Sequence, residues 1–445
     1  MKRILLLTLL LSATSWATAQ VCGCTDPLAN NYNANATVND GSCTYNSTTV
    51  SPTTLGELSE TVNGTSGMIF WNDGYWTLND HTNTNLYKLD STSGALLDSL
   101  DIATGGNYDT EEVSQDSLYL YFGDMGNNAG SRTNLRIVRI SKASLLAHAP
   151  VSDTIYFSYS DQTDFTASSQ NTDYDCESFV VGADSIFVFT KQWVSEGTVC
   201  YGFPKVPGTH VATPRGECNV GGLITGATYL PDKRIVVLCG YSNLLNPFIY
   251  LLYDFQGENF FSGNKRKLSF SALQRDQVEA IATSNALDYY ITNEYYVYNG
   301  IITIPRPAKL QKLDLSPYLS GYLESLNVPA EDTIVPGGDT IVPGDTITPG
   351  GDTIPTDGIA WWDGEHLWIY PNPVVDEIHV ECPTALSDSE YRIYDLQGKL
   401  RAQGHLENGV IRVGDHHLPP AVYLLQVQAL GQRAVSRLFV LQRNN

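Results

Sequence analysis

The 445-residue chain carries 48 Asp and Glu against 26 Lys and Arg, a formal net charge of −22. So acidic a surface repels phosphate backbones, which excludes nucleic acid as a partner, and it suits cations. With 26 Tyr and 14 Phe, and with Thr, Val and Ile between Gly-Asn-Asp clusters, the composition predicts an all-β protein of two or three domains.

At the N-terminus, Lys2 and Arg3 precede the apolar run Ile4 to Leu11, and Ala17-Thr18-Ala19 supplies small residues at the cleavage positions. This predicts a signal peptide over residues 1–19, leaving Gln20 as the first mature residue. The run is too short to span a bilayer and no later stretch comes close, so no transmembrane segment is expected. Residues 20–46 follow, reading Cys24-Thr25-Asp26-Pro27, then Asn30-Asn31-Tyr32-Asn33, then Asn39-Asp40-Gly41-Ser42-Cys43. The pattern resembles a short repeat found in surface proteins of marine Bacteroidota. So short and polar a segment cannot bury a core, and a Cys24–Cys43 disulfide is the expected staple. Asp26, Asn39 and Asp40 offer the hard oxygens that Ca2+ takes, but without the spacing of a calcium loop; turn formation explains the same residues. The eight cysteines of an exported chain point to disulfides more widely.

Residues 51–322 hold a degenerate repeat of roughly fifty residues. Inner strands start near Gly67-Met68-Ile69-Phe70, Glu112-Val113-Ser114, Glu177-Ser178-Phe179-Val180, Thr225-Gly226-Ala227-Thr228 and Glu279-Ala280-Ile281-Ala282. Second strands run through Tyr75 to Leu78, Ser117 to Tyr121, Ile186 to Phe189, Arg234 to Leu238 and Tyr289 to Thr292, and third strands follow each. About four strands per unit predicts a β-propeller of five or six blades. Five units are clear, and a sixth would draw on Ser51–Val62 and the longer second unit.

Carboxylates recur where the inner strands begin. Asp109 precedes Glu111 and Glu112, Asp175 precedes Glu177, and Gln277 precedes Glu279, while Asn79-Asp80-His81, Gly123-Asp124 and Asn293-Glu294 end the second strands. These motifs resemble the Asn-Asp, Asp-x-Glu and Gly-Asp-x-Gly-Asn signatures of phytase-like and gluconolactonase-like propellers. That resemblance implies a divalent ion, Ca2+ above all, held by Glu112, Glu177, Glu279, Asp80 and Asp124 in the channel. Thr225 stands where a further carboxylate is expected in the fourth unit. Carboxylates crowded in one channel need a counter-charge; the other reading has Glu112, Glu177 and Glu279 capping neighbouring blades through backbone amides. His81 is the histidine beside this mouth, and Lys191, Arg132 and Arg136 are the cations a phosphate would meet. No serine-hydrolase elbow, zinc-protease motif or phosphate loop is present.

Residues 329–357 are a Pro- and Asp-rich spacer, expected to be extended. Within it Asp-Thr-Ile recurs around Thr333, Thr340, Thr346 and Thr353, matching the Asp-(Ser/Thr)-aliphatic acceptor of O-glycosylation in Bacteroidota. Residues 367–445 read as short antiparallel strands, an Ig-like β-sandwich. They carry Tyr370-Pro371-Asn372-Pro373, then Tyr394-Asp395-Leu396-Gln397-Gly398-Lys399, then Val422-Tyr423-Leu424-Leu425. Together and in that order, these motifs resemble the C-terminal sorting domain of type IX secretion cargo. The resemblance implies recognition by that machinery and a protein secreted or attached to the outer-membrane surface. Ala421 departs from the Gly usual there. The propeller is then expected to bind a ligand, a surface glycan or a partner; a metal-dependent phytase-, esterase- or lactonase-like hydrolase and a structural adhesin component are the alternatives.

Overall fold

Strands buried on both faces carry near-continuous apolar runs, and the blade strands do so: Asp175–Val181, Ile235–Tyr241 and Pro247–Tyr253 are buried at every residue. The computed structural model describes residues 20–80, 83–102, 106, 108–271, 275–299 and 303–326. In the C-terminal part it describes 368–370, 374, 377–381, 389–395, 399–406, 410–413, 418–419, 421–428 and 435–441. The expected signal peptide, His81, the four spacer threonines, Pro371 to Pro373, Cys382 and Gly398 lie outside the described residues. The chain divides into two compact units at about residue 335.

The first unit is a propeller with five four-stranded blades among the described residues. Blade I is Thr65–Trp71, Gly74–Asn79, Asn85–Leu89 and Leu96–Asp101. Blade II is Thr110–Gln115, Tyr119–Asp124, Arg136–Ser141 and Ser152–Tyr159. Blade III is Asp175–Val181, Ser185–Lys191, Thr198–Pro204 and Gly208–Cys218, and blade IV is Leu223–Leu230, Ile235–Tyr241, Pro247–Tyr253 and Asn264–Phe270. Blade V has Val278–Thr283, Asp288–Asn293 and Lys309–Asp314, with the hairpin Tyr296–Asn299 and Thr303–Arg306 inserted before the last of these. The inner strands pack in a ring, I on II through to V on I.

The outer strand of blade V is Thr53–Glu57, which pairs antiparallel with Lys309–Asp314 in the register Lys312↔Thr53. The segment that left room for a sixth blade therefore completes the fifth, and the chain's own beginning closes the ring. Two further pairings cover outer edges that would otherwise be open. Ser152–Tyr159 runs parallel to Gly208–Cys218, joining blades II and III into one eight-stranded sheet, and Thr48–Val50 runs parallel to Asn264–Phe270. Each neighbouring pair of blades encloses its own apolar cluster, such as Tyr121, Phe157, Phe179 and Phe203 between II and III. Broad aromatic rings fill the widening gap between blades, consistent with the wealth of Tyr and Phe.

Residues 20–46 do not stand apart from this ring. Cys24 and Cys43 are disulfide-bonded. The Asp26 carboxylate accepts hydrogen bonds from Tyr45 at 2.7 Å and from Tyr253 of blade IV at 2.5 Å. Asn39 Nδ2 donates to Asp254 and Asn264, both at 2.9 Å, and the Arg266 guanidinium lies 4.7 Å from the rings of both Tyr45 and Tyr318. Asp40 accepts from the Ser42 amide at 3.0 Å and Asn39 Oδ1 from the Gly41 amide at 2.9 Å, so these oxygens are engaged in turns and in docking. Cys22, Cys176, Cys200, Cys218 and Cys239 are free thiols. Cys176 and Cys239 are fully buried in different blades, where a thiol packs as a small apolar group.

Among the described residues the second unit holds two antiparallel sheets. One orders Trp368–Tyr370, Glu377–Glu381 and Val410–Arg412; the other orders Leu400–His405, Glu390–Asp395, Ala421–Gln428 and Val435–Leu441. Ile378, Val380 and Ile411 of the first face Tyr391, Ile393, Leu425 and Val427 of the second across one core, which makes the unit a small sandwich. Asp395 accepts from the Lys399 amide at 2.9 Å and pairs with Arg401 at 2.6 Å, fixing the turn of the second motif. Tyr423 buries its ring and donates to Pro419 O at 2.8 Å. Among the described residues no helix is long and apolar enough to cross a membrane.

Near the axis the inner strands leave no room for a side chain at Gly67, whose φ is 62°. A Cβ there would sit 2.7 Å from Glu112 Cα and 2.6 Å from its Oε1. Gly257, φ 55°, has nothing within 4 Å of the same position. Gly67→Ala should therefore cost about 3 kcal/mol, adding overpacking to left-handed strain, against about 1 kcal/mol for Gly257→Ala. Equal losses in chemical denaturation would show that the axis is not tightly packed.

Candidate functional site

All five inner strands carry one residue more than the second strand they pair with, and at the same place. The registers Ser66↔Leu78 then Met68↔Thr77, Cys176↔Thr190 then Ser178↔Phe189, Ile224↔Gly240 then Gly226↔Cys239, and Val278↔Asn293 then Ala280↔Thr292 skip Gly67, Glu177, Thr225 and Glu279. In blade II the register passes from Glu112↔Gly123 to Thr110↔Asp124 and skips Glu111. A β-bulge re-aims the side chain it releases from the ladder. These bulges form an inner ring of Gly67, Glu111, Glu177, Thr225 and Glu279. Around it, Asn79, Asp124, Lys191, Tyr241 and Asn293 end the second strands at the same mouth of the propeller.

The cation at the centre is Lys191, which is 3% exposed. Its Nζ lies 2.5 Å from Glu177 Oε1 and 3.3 Å from Tyr241 Oη, and 4.7 Å and 5.4 Å from the rings of Trp193 and Tyr241. Burial alone would lower its pKa, but Glu177, Tyr241, Glu279 and Asp175 outweigh burial and hold the ammonium well above the ordinary lysine value. Trp193 Nε1 in turn donates to Asp175 Oδ2 at 2.7 Å.

The carboxyl groups outnumber this ammonium. Burial pushes Glu177 up to about 8 against the pull of Lys191, and burial with the nearby Asp80 and Glu177 charges pushes Glu294 up to about 8. Glu111 and Glu279 lie well above the usual carboxylate range, first through burial and then through their acidic neighbours Glu177, Asp109, Glu294 and Asp80. Burial also raises Asp175, and Asp109 rises through burial and the Asp175 charge. The mouth therefore retains protons that exposed carboxylates would have lost.

Of the residues singled out from sequence, the structure brings Glu177, Glu279 and Asp80 together. Glu112 sits apart from them: it is wholly buried, and its Oε2 accepts the Ala227 amide at 2.7 Å while Oε1 accepts the Val113 amide at 2.9 Å. That contact runs from blade II to blade IV, which are not neighbours in the ring, and so ties the propeller across its axis. The bulge register assigns blade II's place in the ring to Glu111, whose Asp109-x-Glu111 spacing matches Asp175-x-Glu177 and Gln277-x-Glu279. Asp124 is drawn to guanidinium groups, 2.8 Å from Arg132 and 2.9 Å from Arg136. Arg132, Arg136 and Lys191, read as cations for a phosphate, are thus each held by a carboxylate. Among the described residues, no three or more His, Cys, Asp or Glu side chains are grouped so as to hold a metal ion. Sequence reasoning missed Lys191 as the internal counter-ion; its signal was a lone Lys where the other second strands end in Asn, Asp or Tyr.

Comparison with known proteins gives one family and several distant structures. No curated protein matches the chain. Among solved structures, the Myxococcus xanthus glutaminyl cyclase is 12% identical with a TM-score of 0.38, covering 61% of this chain and 99% of that one. The PQQ-bound aldose sugar dehydrogenase of Streptomyces coelicolor is 8% identical with a TM-score of 0.35, covering 59% and 98%. PorZ, a surface component of the type IX secretion system of Porphyromonas gingivalis, is 11% identical with a TM-score of 0.30, covering 85% of this chain and 45% of PorZ. At these values none bears on what the propeller does. Residues 368–441 match the family described as the secretion system C-terminal sorting domain, so the chain carries the address of the type IX route and is secreted or attached at the cell surface.

Proposed function

We propose that residues 1–19 lead the chain across the inner membrane and that the exported propeller acts as a binding module, without turnover, whose acidic mouth accepts a cation. One observation carries this reading. Asp80, Asp109, Glu111, Asp175, Glu177, Glu279 and Glu294 act electrostatically on one another, and among the described residues the cations acting on them are Lys191 and, at Asp109, Arg132. In a partly desolvated mouth such an excess of carboxyl groups must hold protons or a cation. Ca2+, which takes oxygen ligands with tolerant geometry, and the cationic group of an organic ligand both meet that requirement. Glu177, the group best placed for acid–base work, is already committed to Lys191 at 2.5 Å, which favours binding over hydrolysis.

The raised carboxyl pKa values fix a pH dependence. Glu294 stays protonated in the folded protein up to about pH 8, while in the unfolded chain it ionises near the ordinary value of about 4.3. The folded state binds more protons between those values, so its stability falls as pH rises through that window. The melting temperature of the cation-free protein should therefore drop steadily from about pH 5.5 to 8.5, and added cation should restore part of it by binding the folded state alone. Glu294→Gln should blunt the drop. A pH-independent melting temperature that no cation raises would remove this reading.

The sorting domain generates a separate expectation. A chain ending at residue 367 should fold its propeller and collect in the periplasm, measured by fractionating the host and blotting each compartment. Arrival of that truncated chain in the medium or at the surface would show that the sandwich is dispensable for export.

A further inference from the structure

Resting on the cation-accepting mouth, we infer that its occupant is a primary ammonium on an apolar stalk, the chemistry of a lysine side chain, rather than a metal ion. Three observations converge. Glu279 is 5% exposed, yet its carboxylate has no hydrogen-bond or ion-pair partner among the described residues, although Lys191, Glu177, Glu294 and Asp80 all act on it electrostatically. In the outer ring beside it, Asn293 Oδ1 is also buried with no donor. A buried amide oxygen left without a donor is costly unless a donor arrives from outside, and the Glu279 carboxylate, fixed by no donor of the protein among the described residues, is free to meet one at the mouth. An ammonium brings three N–H donors and one charge.

The mouth already shows how such a group is held. Lys191 places its ammonium against a carboxylate, a phenol oxygen and two aromatic rings. A second monovalent ammonium on the Glu279 side would meet half the repulsion from Lys191 that a divalent ion would meet at the same distance. The rim fits the rest of the ligand. The segments that end at the mouth expose Tyr108, Val194, Leu244 and Tyr295, at 68%, 62%, 76% and 46%. Tyr108 is anchored over Arg136, and Tyr295 donates its amide to Asn63 O at 2.8 Å. An aliphatic stalk passing over these side chains would shed water while its charged end reached the acidic floor.

The test is calorimetric titration of the full mature chain at about pH 8.5 with n-hexylammonium chloride, 1-hexanol and, separately, CaCl2, with chelator in the first two arms. The inference expects hexylammonium to bind at least about tenfold more tightly than hexanol, and Glu279→Gln to reduce that affinity about tenfold at an unchanged fold. Glu217→Gln, on an exposed outer strand, should leave the affinity as it is. Thermal melts of each variant confirm folding, and Glu294→Gln serves as the second floor variant if Glu279→Gln does not fold. Hexylammonium binding no better than hexanol, or binding unaffected by the floor variants, overturns the inference. Calcium binding that the floor variants weaken, without amine binding, overturns the ammonium while leaving the cation-accepting mouth intact; absence of both overturns the two together.

Discussion

One extra residue per inner strand, inserted at one register in all five blades, is the constraint on which the mouth depends. Without the bulge, strict alternation would place Glu111, Glu177 and Glu279 by strand period alone, and their positions would follow the packing of the blade cores. With it, the inner strands stay apolar between blades while a ring of side chains is released at one end. The same local geometry explains why the ring tolerates Gly67 and Thr225. Gly67 lies against Glu112 too closely for any side chain, and Thr225 donates to Val278 O at 2.5 Å, stitching blade IV to blade V.

Two kinds of carboxylate result, separated by one residue of sequence. Glu112 accepts backbone amides from opposite sides of the axis and acts as a structural tie. Glu111, its neighbour, faces the acidic company of the mouth. Burial raises both pKa values, but only the Glu112 oxygens are met by two fixed N–H groups. A group held by backbone donors contributes to the fold; a group surrounded by like charges stores unfavourable energy that a cation relieves. Lys191 supplies one such cation from within, and the remainder of the imbalance is the ground on which a cation-accepting mouth is proposed.

Closure of the ring belongs to the chain's beginning. Thr53–Glu57 completes the last blade, Thr48–Val50 covers the edge of blade IV, and the disulfide-held segment ahead of them docks on Tyr253, Asp254 and Asn264. The helix Ser316–Leu326 returns to the same side, with Tyr322 against Tyr253 and Tyr318 against Arg266. The first and last parts of the unit thus meet at blades IV and V, so the ring is complete only once both have been made. The sorting sandwich, by contrast, has its own core and its own two sheets.

The sequence by itself determined the elements that rest on local pattern. The runs at Ile186 to Phe189 and Ile235 to Leu238 had to be buried strands, their fifty-residue spacing had to be blades, and Tyr391 to Asp395 with Val422 to Val427 had to be strands of a sandwich, because apolar periodicity and turn residues are properties of neighbouring positions. The sorting domain was legible for the same reason, as a series of short motifs in order. Tertiary structure alone decided the rest. Whether Ser51–Val62 began a sixth blade or ended the fifth depended on a partner, Lys309–Asp314, some 250 residues away. Which of Glu111 and Glu112 reached the mouth depended on a bulge, a mismatch between two strands that neither strand records alone. The pairing of Lys191 with Glu177, and the tie from Glu112 to Ala227, are contacts between groups brought together only by closing the ring.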